Sequence, residues 1–441
     1  MSKLDLIIEK ILVFLICSLP ILLITGSFLP DFTLSLASLI FIYYIYKKKI
    51  FYILNNNFTK IFIIFWIFLI ISSINSENFK TSIFTSFFYI RFLIFTLIVY
   101  YLFNNSQNFV KYLYRILLIS IIILIAFGFI ELITNSNYLD PKNNPAITSL
   151  FGERGLLGSY LSKFLPFLIG LYFLNYSKNN FNFKILLLIF LSALFIILSN
   201  QRIALLYFFI FFIFFLYFSK NKIKQKNYLI LFCILSLTLL IVFSPSVKNR
   251  IIKQTLSQFG NSTNDRYYEI KNNDGSYTAI TESNNFYLFS LKHEVLFKNS
   301  IKIFIDNPLL GSGPNTFKYI CKNEKYYKKY DHPAFIDLKN KNKNFYYEGF
   351  TDIDNCSTHP HNIYLQILSE TGIGFIFLII FFFYIIKRIL LTLKNINIYT
   401  NFFLCSIFIS VFPFATTGNF FNNWLSILCF FPIGMILNEK K

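Results

Sequence analysis

The chain has 441 residues and a formal net charge of +20, yet only 14% of its residues are charged, while 55% are hydrophobic and 20% aromatic. A soluble core of this length carries nearer about a quarter charged residues, so the composition excludes an ordinary soluble enzyme and defines a polytopic membrane protein. The basic excess does not point to nucleic acid, because the cations stand in short clusters between apolar runs, as the positive-inside rule requires. Membrane lipids are the expected partner.

In chain order, about twelve apolar runs are long enough to span, near 11–29, 33–46, 61–75, 83–103, 116–134, 156–175, 184–199, 203–218, 228–244, 363–386, 400–416 and 420–437. The first, Ile11–Ile24, leads through Thr25-Gly26-Ser27-Phe28-Leu29-Pro30 into another apolar run, so it reads as a span and not as a cleaved signal peptide. One face collects Lys3 and Lys10, Lys47–Lys49, Lys60, Lys111, Arg115, Lys178, Lys184, the lysines at 220–226, Lys387, Arg388, Lys394, Lys440 and Lys441. The opposite short loops hold Asp31, Glu77, Asp140 and Glu153. Both termini are therefore expected on the cytoplasmic side.

The predicted fold class is an all-α polytopic membrane protein of about twelve transmembrane helices, with one large outer-face loop between helices 9 and 10. Its divisions are 1–244 (helices 1–9), 245–361 (the loop, with short helices and a mobile tip near Tyr319–Asn355) and 362–441 (helices 10–12). Cys17, Cys233, Cys405 and Cys429 lie in apolar runs as packing residues. Cys321 and Cys356 lie in the loop, where a disulfide and two free thiols are both open.

Few charged or polar groups stand where chemistry would need them. Arg91 lies inside the fourth run, where it pairs with Glu131 or lines a cavity. Arg154 (in Glu153-Arg154-Gly155) and Arg202 (after Ser199-Asn200-Gln201) break the positive-inside pattern in cation-poor outer loops, and Arg266 lies early in the large loop. Guanidinium is the natural fork for phosphate oxygens at such an interface. Asp352-Ile353-Asp354 has the form of a metal-binding Asp-x-Asp but faces a compartment without nucleotide sugars, so it carries no assignment. His293 and His332 read as solvated loop residues. His359-Pro360-His361-Asn362 runs into the last long polar-to-apolar transition, where Asn362, Gln366 and Glu370 form one helical stripe. His-x-His with no third histidine nearby in sequence is a weak zinc pattern, so no metal and no cofactor are expected. There is no P-loop, Gly-x-Ser-x-Gly or dinucleotide fingerprint.

Asn307-Pro308-Leu309-Leu310-Gly311-Ser312-Gly313-Pro314-Asn315-Thr316-Phe317, then His359-Pro360-His361-Asn362-Ile363-Tyr364-Leu365-Gln366 and Glu370-Thr371-Gly372, resembles the signature of the O-antigen ligase and O-antigen polymerase-like membrane proteins. Glu153-Arg154-Gly155-Leu156-Leu157-Gly158-Ser159-Tyr160-Leu161 and, more loosely, Asn200-Gln201-Arg202 share the likeness, which covers roughly 150–390. Arg202 follows Asn-Gln in place of Ser or Thr, and Arg266 is followed by Tyr267-Tyr268 without a nearby Trp. A Lys/Tyr-rich segment between Phe317 and His359 has no counterpart.

The resemblance implies a metal-independent, inverting glycosyltransferase at the periplasmic face of the bacterial inner membrane. Its lipid-linked donor would be a glycan on undecaprenyl diphosphate, and its acceptor a lipid A–core sugar (ligase) or another lipid-linked glycan (polymerase). It assigns catalysis to His361, Arg202 and Arg154, donor diphosphate binding to Arg202, Arg154 and Arg266, and support to His359, Asn362, Gln366 and Glu370. Transfer to protein is a further acceptor alternative. A polysaccharide transporter or flippase, the alternative from another class, would place charges near the midplane and break helices in symmetric halves.

Overall fold

The computed structural model describes residues 3–137, 139, 146–176, 183–218, 247–248, 266–271, 277–282, 291–327, 329–331, 353–392 and 397–437. The chain begins with α1 (Lys3–Thr25), α2 (Phe28–Lys48), α3 (Asn57–Ile74), α4 (Phe79–Asn105), α5 (Phe109–Thr134), α6 (Leu157–Asn175), α7 (Phe183–Leu198) and α8 (Arg202–Phe218). After the large loop come α9 (Leu291–Asp306), α10 (Phe317–Ile320), α11 (Ile363–Thr371), α12 (Phe375–Thr392), α13 (Ile398–Ser410) and α14 (Asn423–Ile436). Among the described residues seven helices are long and apolar enough to cross a membrane: α1 to α6 and the composite Ile363–Leu391, with α7, α8, α13 and α14 as shorter apolar helices. The run expected near 228–244 lies outside the described residues, as does Cys233.

One apolar cluster runs through α1 to α8 and α11 to α14. Phe62, Tyr89, Phe92 and Phe430 stack ring on ring where α3, α4 and α14 meet. Large apolar side chains such as Phe14, Leu39, Ile64 and Phe383 point outward as well, as a surface solvated by lipid requires. Cys17, Cys405 and Cys429 are free and buried, as packing residues.

Two expectations are corrected. The first helix starts at Lys3, well before the apolar run, because Asp5 is folded into the bundle against Lys47 (3.3 Å) and Lys48 at the end of α2. Arg91 does not pair with Glu131: its guanidinium meets Asp31 at 2.7 Å and the Asn423 amide oxygen at 2.6 Å, tying α4 to the starts of α2 and α14. Glu131 instead accepts the backbone N–H groups of Thr148 (3.1 Å) and Ser149 (2.6 Å), holding the turn that leads into α6.

The loop holds more than short helices. Besides the sixteen-residue α9 and the one-turn α10 it carries a small antiparallel sheet of β1 (Arg266–Lys271), β2 (Tyr277–Glu282), β3 (Lys329–Asp331) and β4 (Ile353–Asp354), in the order β2-β1-β3-β4. The β1–β2 register runs from Arg266 opposite Glu282 to Lys271 opposite Tyr277. Tyrosines, isoleucines and threonines favour this pleated form. The region expected as a mobile tip begins with an ordered turn closed by a Cys321–Cys356 disulfide, Cα–Cα 5.1 Å. Of the remaining loop features, His332 and Asp352 lie outside the described residues.

Candidate active site

The site is built on α11. Asn362 is its N-cap: the side-chain oxygen accepts from the backbone N–H of Tyr364 (3.0 Å) and Leu365 (3.1 Å). The same amide donates to the carbonyls of Pro413 (2.8 Å) and Ala415 (3.3 Å), between α13 and α14. One turn on, Gln366 donates to Asn419 Oδ1 (2.8 Å) and to Glu370 (3.1 Å), and accepts from the N–H of Phe420 (2.8 Å). Glu370, 1% exposed, accepts from the backbone N–H of Asn315 and Phe317, both at 2.9 Å. The polar stripe read from the sequence is therefore a clasp that holds three separate pieces of chain around one helix.

Two glycines let these pieces meet. Gly311 (φ +67°) lies so near the Glu370 backbone that a Cβ would fall 2.3 Å from its carbonyl carbon. Gly372 (φ +58°) would likewise put a Cβ 2.4 Å from the Pro308 carbonyl oxygen. Their positive φ values and the lack of room both demand glycine. Ser72 at the end of α3 seals the crossing by donating to the carbonyls of Leu310 (2.6 Å) and Glu370 (3.2 Å).

His361 directly precedes this N-cap in the left-handed region, at φ +60°. A histidine held there is uncommon and persists only where its surroundings fix it. Here Thr417 N–H donates to the His361 carbonyl at 2.7 Å, and Asn362 anchors the next residue. The imidazole Nε2 lies 3.4 Å from Ser357 Oγ. Its ring centroid is 4.2 Å from that of His359 and 5.5 Å from that of His293.

His359 has a different task. Its Nε2 lies 3.2 Å from the Thr417 carbonyl and its Nδ1 2.9 Å from Thr358 Oγ1. A carbonyl can only accept, so Nε2 carries the proton and Nδ1 accepts from the hydroxyl. Burial, with His361 and His293 close by, lowers its pKa to about 4 against a weaker opposing pull from the Thr417 carbonyl. His359 is thus neutral at pH 7 with both nitrogens occupied, which orders the segment beside His361. Among the described residues no group of three His, Cys, Asp or Glu side chains is placed to hold a metal ion.

The structure brings Arg154 and Arg202 into one neighbourhood. Arg154 closes a 3-10 turn, Ser149–Arg154, and donates to the Ile24 carbonyl at the end of α1 (3.1 Å). Arg202 opens α8, just after Asn200 at φ +54°. Gln201 joins the two, its side-chain oxygen accepting from both the N–H and the hydroxyl of Ser159 at 2.9 Å, while its amide lies beside Gly155. Arg266 is on β1.

Sequence reading missed two residues near this centre. His293 is not a solvated loop residue: it lies on α9 with its ring against His361. Its stripe with Leu296, Ser300 and Ile303, all fully buried, was the available signal. Lys163, 3% exposed on α6, stands under the rings of Tyr207 (5.2 Å) and Trp424 (5.4 Å), and an isolated lysine in an apolar run gave no motif to find it by.

Fold and site together define a multi-pass membrane protein with a histidine-centred site where the helix ends meet a large polar loop. Residues 187–380 match the family described as O-antigen ligase, so this part of the chain is similar to that family. The match takes in Arg202, Arg266, His361, Asn362, Gln366 and Glu370 and leaves Arg154 outside. Comparison with curated proteins and with solved structures gives no match.

Proposed function

We propose that the protein is an O-antigen ligase that moves a glycan from undecaprenyl diphosphate to a hydroxyl of lipid A–core, at the periplasmic face of the bacterial inner membrane. The observation that carries this reading is the family match across the very block in which His361 is held at a positive φ with its imidazole toward Ser357. The Cys321–Cys356 disulfide supports an outer-face loop, since such bonds persist in oxidising compartments. On this reading residues 1–244 carry the first nine helices, 245–361 form the periplasmic loop, 362–441 carry the last three, and both termini are cytoplasmic.

The chemistry needs little beyond these groups. The acceptor hydroxyl attacks the anomeric carbon from the face opposite the diphosphate, so the new C–O bond forms as the sugar–phosphate bond breaks and configuration inverts. His361 Nε2 takes the hydroxyl proton. The leaving diphosphate needs no proton; Arg202 and Arg154, with Arg266 from the loop, neutralise the charge it gains. No metal is required.

His361→Asn is the sharp test, because asparagine tolerates the left-handed backbone and removes only the imidazole. In membranes with normal protein levels, transfer should fall by a factor of about 10² or more; unchanged transfer would sink the mechanism. The surface glycan ladder of a deletion strain separates the acceptors. A lost ladder with lipid-linked polymer accumulating means ligase, and a single repeat surviving on the core means polymerase.

A further inference from the structure

A cleft of about 580 Å³ opens beside the histidines, lined by Lys318, Tyr319, Lys322, Tyr327, Cys356, Ser357 and Thr358. Its volume is that of a site for one or two sugar rings. Among the described residues two lysines and no carboxylate line it. Tyr319 and Tyr327 are each 41% exposed, and Lys318 Nζ stands 5.0 Å over the Tyr319 ring. Hydrogen bonding to Thr81, at the start of α4, and the Lys318 charge lower the Tyr319 phenol pKa below its ordinary value, which reports a positive field at the membrane-proximal wall.

Ser357 lines the cleft, and its hydroxyl lies 3.4 Å from His361 Nε2, so the cleft approaches the imidazole on its Ser357 side. Arg154 and Arg202 belong elsewhere, to the ends of α6 and α8 with Arg154 against α1, and neither lines this wall. The lining lysines and tyrosines open the Lys/Tyr-rich segment that has no counterpart in the family likeness.

We propose that this cleft is the acceptor subsite, and that it takes an acidic glycan: sugar rings laid on Tyr319 and Tyr327, with a phosphate or carboxylate paired to Lys318 and Lys322. Ammonium groups bind either anion as point charges, and exposed tyrosine faces suit the apolar C–H faces of sugars. The inference rests on the transfer reading above for the word acceptor, but the charge preference of the cleft stands apart from it.

The test uses the full-length protein in lipid nanodiscs. The probe is the glycolipid fraction from the deletion strain, either untreated, dephosphorylated with aqueous hydrogen fluoride, or carboxyl-reduced. Lys318→Gln/Lys322→Gln should weaken binding of the untreated glycolipid and raise its KM about tenfold with kcat kept. The same variant should leave binding of whichever treated form has lost the relevant anion unchanged, which also tells phosphate from carboxylate. Lys325→Gln, off the cleft and paired with Asp306 at 3.0 Å, should bind like the parent. Equal binding of all three glycolipids, or a KM effect that falls on the donor, overturns the proposal. Charge-selective binding without any transfer would sink the ligase reading and leave the acidic-glycan cleft standing.

Discussion

At the scale of single residues, the decisive contrast is between two histidines separated by one proline. The sequence shows both but cannot rank them, because ranking depends on where each ring nitrogen goes. His359 spends both on Thr358 and Thr417, while His361 Nε2 lies 3.4 Å from Ser357 Oγ. The pKa of His359 is lowered to about 4 in the folded protein, below the ordinary value near 6.5. Between those values the unfolded chain binds the extra proton and the folded one does not, so this contribution is whole above pH 6.5 and is lost as pH falls toward 4. Thermal denaturation of the purified protein at pH 7.5, 6 and 5 should therefore show a falling Tm, and His359→Gln should flatten part of that fall. An identical slope in the variant would place the acid sensitivity elsewhere. Arg154 and Arg202 were legible as exceptions to a charge rule; His293 had only the buried stripe of Leu296, Ser300 and Ile303 to mark it, and Lys163 had no motif at all.

Among elements, α11 governs the site through contacts that run sideways to other segments. Its Glu370 is the acceptor for two backbone donors of the Asn307–Phe317 block. Glu370→Ala leaves those donors buried and unpaired, at about 1–3 kcal/mol each, so on the order of 3 kcal/mol of stability should disappear. The thermal midpoint should fall by several degrees, while Glu370→Gln, which keeps one acceptor oxygen, loses less. Wild-type stability in both variants would show that the clasp is redundant. Gly311→Ala should prevent the crossing from closing, with loss of folded protein in size-exclusion profiles. The blocks Asn307–Phe317 and Glu370–Gly372 are visible in sequence as motifs; that they are two halves of one crossing is visible only in three dimensions, where reciprocal glycines mark the contact. The loop sheet was missed for a related reason. Its strands are short, and pairing of β1 with β3 and β3 with β4 depends on residues far apart in the chain.

For the molecule as a whole, most of the bundle was readable because apolar run length and lysine placement are local properties. Helices α3, α4, α6, α7, α8 and α14 fall within four residues of the predicted runs; α2 and α5 begin earlier, α13 ends earlier, and the single run expected over 363–386 is split at Gly372 into α11 and α12. The other departures are polar: the first turn of α1 depends on Asp5 finding Lys47 and Lys48, and Arg91 chose Asp31 over Glu131. The disulfide acts at this scale too, since it joins residues separated by 35 positions. Closing a loop of that size is worth about 3–4 kcal/mol by the chain-entropy relation. Cys321→Ser or Cys356→Ser should lower the Tm under oxidising conditions, and dithiothreitol should do the same to the parent but not to the variants. A parent that is indifferent to reductant would mean that the bond does not form in the cell. The tether of His361 and Asn362 to Pro413, Ala415 and Thr417 also fixes an order of events during synthesis. The ribosome makes these partners 51 or more residues after Asn362, so the histidine segment emerges before these particular contacts can fix it. A nascent chain stalled between the two therefore lacks the contacts that fix His361 and Asn362, and these arrive together with the segment that joins α13 to α14.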